Sequence, residues 1–249
     1  MAKTLEGRVA LVTGASSGIG EATAASLAAE GARVAVAARR SDRLNALVER
    51  LRHAGREAIA IQADVAEQAS AERMVETTVE RFGRLDVLVN NAGLMVLAPF
   101  ATSNPDDWRR MIDVNVLGML YCTRAALPHL KRARSGHIVN VSSVAGRLPF
   151  ATGTVYCATK YAVVGFSDTL RKELLADKIR VTVIEPGAVQ TELVQQVTDK
   201  STRETIAKWQ ASMRQLRSED IASAILYAVS QPEHVNVFEI LVRPTDQEL

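Results

Sequence analysis

At 249 residues, 47% hydrophobic and 23% charged, the chain has the size and balance of one large globular α/β domain. Its net charge of +2, with arginines scattered rather than clustered, gives no electrostatic case for nucleic acid or an anionic membrane. No apolar run approaches the roughly 18 residues of a membrane-crossing helix, and MAKTLEGRVALVTG has no long apolar stretch before a small-residue cleavage site. Two cysteines, Cys122 and Cys157, are too few for a disulfide scaffold, so a reducing, cytoplasmic setting is expected.

In chain order, the predicted strands are 8–13, 33–38, 57–62, 85–90, 137–142, 180–185 and 236–241. Helical patterns such as EATAASLAAEG and SAERMVETTVERFG lie between them. Strands alternating with helices build βαβ units, which predicts a doubly wound, Rossmann-type parallel sheet of about seven strands in a three-layer α/β/α sandwich. Residues 1–249 then form a single dinucleotide-binding catalytic domain. The polar segment 188–217 stands apart as either a substrate lid or a plain surface helix pair.

TGASSGIG (13–20) closes the first strand and opens the first helix. Gly14, Gly18 and Gly20 allow a tight turn and let a phosphate approach the helix-terminal amides. The same letters contain GASSG, which formally matches a hydrolase nucleophile elbow on Ser16, with His234 as a distant base. Position argues against that reading, because an elbow borrows its oxyanion hole from an upstream loop and too little chain precedes this strand. After the second strand an acidic residue would select NAD, whereas arginine would accept the 2′-phosphate of NADP. Ala38 stands where the acid would fall, followed by Arg39 as the principal candidate and Arg40 as its support. Asp64 with Glu67 fits a capping box, and Asp64 could still contact adenine. In VYCATKY, Tyr156 and Lys160 are four residues apart and would share one helix face.

TGASSGIG, Asp64-Val65, NNAG (90–93), Asn115 in DVNVLG, Ser143 in NVSSVAG, Tyr156-x-x-x-Lys160 and Pro186-Gly187 together resemble the short-chain dehydrogenase/reductase family of about 250 residues. Within it, AARR, NNAGLMVL, IEPG and the ending LVRPTDQEL look most like the clavaldehyde reductases, with NADP-dependent serine and 3-hydroxy acid dehydrogenases as further relatives. The resemblance implies that Tyr156 is the proton donor in carbonyl reduction and that Ser143 hydrogen-bonds the substrate oxygen. It implies that Lys160 holds the nicotinamide ribose and lowers the tyrosine pKa. Asn115 would bend its helix and support a water leading from Lys160, and Asn90 would brace the central strands. The implied NADP(H) contacts are Gly14, Ser16, Ser17, Gly18, Ile19, Gly20, Arg39, Arg40, Asp64, Val65, Asn91, Ala92, Gly93, Tyr156, Lys160, Pro186, Gly187, Val189 and Thr191. No metal is implied. A homotetramer is, joined through helices near 106–133 and 154–176 and through C-terminal contacts.

Carbonyl reduction builds negative charge on oxygen, which needs a proton donor and a second hydrogen bond. A phenol near pKa 10 is a poor acid at neutral pH, and burial raises it further. An ammonium about 4–5 Å away contributes about 3–4 kcal/mol at an effective dielectric of 20, and oxidised nicotinamide adds another positive charge, so charge is expected to outweigh desolvation. Reduction of a ketone or aldehyde is the expected direction. Met95, Val96, Leu97, Arg147, Leu148 and Phe150 are the expected substrate lining, with Arg147 a candidate clamp for a carboxylate. Rival readings are a serine or 3-hydroxy acid dehydrogenase, a non-catalytic NADP(H) sensor, and an epimerase or dehydratase, the last disfavoured by the glycine spacing and length.

Overall fold

The computed structural model describes residues 5–133, 135–197 and 199–248. Seven strands, β1 (Val9–Thr13), β2 (Arg33–Ala38), β3 (Ala58–Gln62), β4 (Val87–Asn90), β5 (His137–Val141), β6 (Arg180–Pro186) and β7 (Glu239–Val242), form one parallel sheet in the order β3-β2-β1-β4-β5-β6-β7. The connecting helices are α1 (Gly18–Ala29), α2 (Ser41–His53), α3 (Gln68–Phe82), α4 (Pro105–Ile112), α5 (Gly118–Ala133), α6 (Thr154–Glu173), α7 (Lys200–Ala211) and α8 (Ser218–Ser230).

Both faces of the sheet are covered, which is why its strands read as nearly unbroken apolar runs. Alternate residues feed two cores. Ala10, Val12, Val34 and Val36 pack with Leu27, Leu44, Ile221 and Ile225 of α1, α2 and α8. Val9, Leu11, Ala35 and Ala37 pack with Met74, Cys122, Leu130 and Leu170 of α3, α5 and α6. Polar bonds also fix the central strands. Asn90 donates to Asn140 on the neighbouring strand at 2.9 Å and to Thr123 of α5 at 3.0 Å, while Asn140 donates to Ser167 of α6 at 2.9 Å.

Two expectations shift. The last strand begins at Glu239 rather than 236, because the Asn236 side chain itself bonds both backbone groups of Val181, at 2.9–3.0 Å. It mimics a strand partner there, and backbone pairing starts at Glu239 opposite Val183. The capping box on Asp64 is absent. α3 starts at Gln68, three residues too late, and Asp64 instead accepts from Ala66 N–H at 3.0 Å in a local turn.

Candidate active site

The order of strands reverses at β1 and β4, and there the C-terminal strand ends border a cleft of about 1090 Å³. Small-ligand pockets are typically about 300–1,000 Å³, so this cleft has room for a dinucleotide and a further small molecule. Of the candidate residues, all but Gly20 and Asn115 line it.

The glycine loop is built for close approach. Gly14 and Gly18 have φ of +64° and +58°, left-handed values that glycine adopts without strain. At Gly20 a Cβ would lie 2.5 Å from Asn91 Nδ2 and from the Gly14 carbonyl. Asn91 holds the loop by donating to the Thr13 carbonyl at 2.9 Å, and the backbone N–H groups of Asn91 and Ala92 donate to Thr13 Oγ1 at 3.0–3.1 Å. Ser17 stands at the N-cap of α1 but its side chain accepts from none of the first-turn N–H groups, so the helix N-terminus opens towards the cleft. Uncapped first-turn N–H groups with a positive dipole end suit a pyrophosphate.

At the end of the cleft beside β2 the two arginines are seated differently. Arg40 is seated on the loop, donating to Ser16 Oγ at 2.9 and 3.1 Å and to Ser17 Oγ at 2.7 Å. Arg39 keeps its side chain 72% exposed, with only a 3.9 Å approach to Asp64. Ser16 therefore faces a guanidinium, which cannot act as the general base of a hydrolase elbow.

Asn115 sits in a π-turn, Asp113–Leu117, between α4 and α5. Its side chain accepts from Leu94 N–H at 2.7 Å and donates to the Leu94 carbonyl at 2.8 Å and to Thr159 at 3.0 Å. It is fully engaged behind the cleft, beside Lys160. Ser142 donates to the Lys160 carbonyl at 3.0 Å, while Ser143, which lines the cleft with Tyr156, accepts from Ala145 N–H at 3.1 Å and donates to the Pro186 carbonyl at 3.4 Å.

Tyr156 and Lys160 lie one turn apart on α6, both buried, with the ammonium 5.7 Å from the ring centre. The ammonium donates to the Val141 carbonyl at 3.0 Å. Burial pushes the phenol up to about 12, only partly opposed by its bond to Ser143, and pushes Lys160 down to about 8. Desolvation thus dominates both groups in the protein alone, and the second positive charge counted on to oppose it belongs to oxidised nicotinamide.

Beyond the tyrosine the cleft is mostly apolar, lined by Met95, Leu97, Leu148, Phe150, Val194 and Trp209, with Arg110, Gln195 and Gln210 among its polar lining. Leu148, Phe150 and Trp209 remain 39–43% exposed, an apolar mouth open to solvent. Two expected lining residues turn away. Val96 bonds the sulfur of Met111 at 3.4 Å through its N–H, and Arg147 donates to buried Glu185 at 2.6 Å and pairs with Glu239. Arg147 is thus no carboxylate clamp.

The short chain dehydrogenase profile matches residues 8–202. The chain belongs to the short-chain dehydrogenase/reductase family. Among relatives of this short-chain dehydrogenase/reductase, an uncharacterized oxidoreductase of Staphylococcus saprophyticus is 40% identical over 245 residues, covering 97% of this chain and 98% of the other. One from Listeria innocua is 40% identical over 246 residues, covering 98% and 99%. Among solved structures, the closed form of serine dehydrogenase complexed with NADP+ superposes with a TM-score of 0.89 at 36% identity, covering 97% and 96%. An alcohol dehydrogenase from the archaeon Thermococcus sibiricus, complexed with 5-hydroxy-NADP, gives 0.86 at 32% identity, covering 97% and 98%.

Two residues of this short-chain dehydrogenase/reductase carry no signal in the sequence. Gln247 folds back from the C-terminal end to accept from Ala188 N–H at 2.9 Å and lines the cleft. Glu192 spans to Arg40 and Arg43, at 2.8 and 2.6 Å. Only the fold brings positions so far apart in the chain together.

Proposed function

We propose that this oxidoreductase is NADP(H)-dependent and reduces the carbonyl of a ketone or aldehyde to an alcohol. The observation that carries the reading is that Ser143, Tyr156 and Lys160 line the cleft together, with the buried ammonium 5.7 Å from the phenol ring, where the apolar part of the cleft meets the glycine-loop part. Bound NADPH would supply a hydride to the carbonyl carbon. Ser143 O–H donates a hydrogen bond to the carbonyl oxygen, and the Tyr156 phenol passes its proton to that oxygen as negative charge builds there. Lys160 places its ammonium behind the phenol, and Asn115, through Thr159, fixes the start of that helix turn. Gly14, Ser17, Gly18 and Ile19 hold the pyrophosphate, Arg40 with Arg39 the 2′-phosphate, Asp64 and Val65 the adenine. Asn91, Ala92, Gly93, Pro186, Gly187, Val189 and Thr191 enclose the nicotinamide half.

With Arg147 bound to two carboxylates, the apolar mouth supports a neutral, largely apolar carbonyl compound as substrate. A second reading, oxidation of L-serine or a 3-hydroxy acid, is favoured by the similarity to serine dehydrogenase. It would rely on Arg110, the guanidinium left at that end, which pairs with Asp107 at 2.9 Å. Segment 188–217 would serve as the substrate lid, since Leu193, Val194, Ile206 and Trp209 wall the cleft. A cytoplasmic homotetramer is the arrangement that the family resemblance implies, and Tyr161, Tyr227 and Leu241, left exposed on α6, α8 and β7, are available to contacts between copies of the chain.

The test follows absorbance of NADPH against neutral aldehydes and ketones, oxo acids, and L-serine with NADP, with NADH in parallel. Turnover of neutral carbonyls that disappears in Tyr156→Phe, with NADPH affinity kept, is the expected result. Turnover confined to serine would select the second reading, and a Tyr156→Phe variant retaining a tenth of the activity would remove the phenol from its role.

A further inference from the structure

At the adenosine end, Glu192 reaches across the cleft from the turn Glu192–Gln196 to the start of α2. One carboxylate oxygen accepts from Arg43 at 2.6 Å, the other from Arg40 at 2.8 Å. The Arg40 guanidinium spends its remaining donors on Ser16 and Ser17 of the glycine loop, at 2.7–3.1 Å. An anion is therefore already seated on the arginine that an NADP(H) phosphate would need. Its bonds to Arg43 and Arg40 keep it ionised, with a pKa held down to about 2.

We propose that Glu192 is a specificity-determining residue for the cofactor, an internal anion that occupies Arg40 and Arg43 until a 2′-phosphate displaces it. The proposal rests on the reading of the cleft as an NADP(H) site. A phosphate monoester carries up to two negative charges and three acceptor oxygens, against one charge and two oxygens on the carboxylate, so the exchange favours the phosphate. A nucleotide with a plain 2′-hydroxyl brings no charge to the exchange and leaves Glu192 where it is. The carboxylate thus lowers affinity for phosphorylated nucleotides by competition, while its presence costs NADH nothing comparable.

Glu192→Gln keeps the side-chain shape and removes the charge at a partly exposed position, so the fold should be unaffected and an unchanged Tm checks this. Fluorescence titration gives Kd for NADPH and NADH, and calorimetry gives Kd for adenosine 2′,5′-bisphosphate and 5′-AMP. NADPH and the bisphosphate are expected to bind about 2–10-fold tighter, the range of two partly exposed ion pairs. NADH and 5′-AMP should stay within about 2-fold, and the gain should vanish when Glu192→Gln is made in an Arg40→Ala background. An unchanged ratio of NADPH to NADH affinity in Glu192→Gln, with wild type preferring NADPH, overturns this proposal alone. Weaker NADPH binding also overturns it, because Glu192 would then grip the cofactor. A wild-type protein with no preference for NADPH overturns the cofactor reading itself and the proposal with it.

Discussion

Arg147 Nε donates to Glu185 Oε2 at 2.6 Å, and this bond ties the loop that follows Ser143 to the strand that ends in Pro186. Glu185 is fully buried, and burial raises its pKa above the usual 4.5 while Arg147 opposes the rise. Its other carboxylate oxygen has no hydrogen-bond partner within the protein. Arg147→Ala would strand this carboxylate, which typically costs about 3–5 kcal/mol for a buried pair and about half that where, as here, the arginine is part-exposed. A carboxyl whose folded pKa is raised contributes stability below its unfolded pKa and loses it as pH rises through the folded value. The deficit of Arg147→Ala should therefore be largest near pH 7–8 and shrink as the pH falls towards 5, as urea unfolding across that range would show. A deficit independent of pH would mean that Glu185 is not the group left stranded. KM for oxo acids should change no more than KM for neutral carbonyls.

Arg40, seated on Ser16 and Ser17, should matter more to NADPH than the exposed Arg39. A hydrogen bond to a charged group contributes about 1.5–3 kcal/mol, so Arg40→Ala should weaken NADPH about 10–100-fold and NADH by far less. Arg39→Ala should fall below that loss. Kd values from fluorescence titration would decide, and equal losses for NADPH and NADH in Arg40→Ala would remove it from the 2′-phosphate.

The parallel sheet was legible because each strand is an apolar run closed by turn residues, and the glycine loop because its conformational demands are local. Gly14 and Gly18 declare a left-handed backbone by residue type alone. Tyr156 and Lys160 were legible through helical spacing. What stayed hidden depended on side-chain direction or on long-range charge. The sequence ranks Arg39 ahead of Arg40 by position alone, and only the exit of the chain from β2 turns Arg40 onto the loop and leaves Arg39 in solvent. Likewise, nothing near Arg147 in the chain announces Glu185 and Glu239, because both are delivered by later strands. For Tyr156, too, spacing reports proximity to an ammonium but not how deeply both groups are buried.

Lys160 is expected to trade stability for activity. Its fall from an ordinary 10.5 to about 8 corresponds to roughly 3 kcal/mol of unfavourable charge burial, an upper figure since its bond to Val141 is lost on replacement. Lys160→Met should abolish turnover yet raise Tm by about 2–6 °C, at about 2–4 °C per kcal/mol for a chain of this size. In wild type the native protein holds fewer protons than the unfolded chain between about pH 8 and 10.5. Stability at this site therefore rises with pH across that window, and the advantage of the methionine variant should narrow there. Calorimetry at pH 7 and pH 9.5 measures both, and a variant less stable than wild type at pH 7 would show that the ammonium is held by more than it loses on burial.

With Tyr156 as the proposed proton carrier, the two directions of the reaction should part with pH because they would need opposite forms of the phenol. Reduction uses the phenol, which at about 12 stays protonated throughout the range in which the protein is studied. Its rate should therefore be flat from pH 6 and then fall above about pH 8, where Lys160 loses its charge. Oxidation of an alcohol uses the phenolate, so its rate should climb about tenfold per pH unit well below the phenol's pKa, for as long as the lysine remains charged. Oxidised nicotinamide adds a positive charge near the phenol and shifts that climb to lower pH, which makes the slope more informative than the midpoint. Initial rates in both directions from pH 6 to 10, with Tyr156→Phe as the blank, would test this. An oxidative rate independent of pH would mean that a group other than Tyr156 takes the proton.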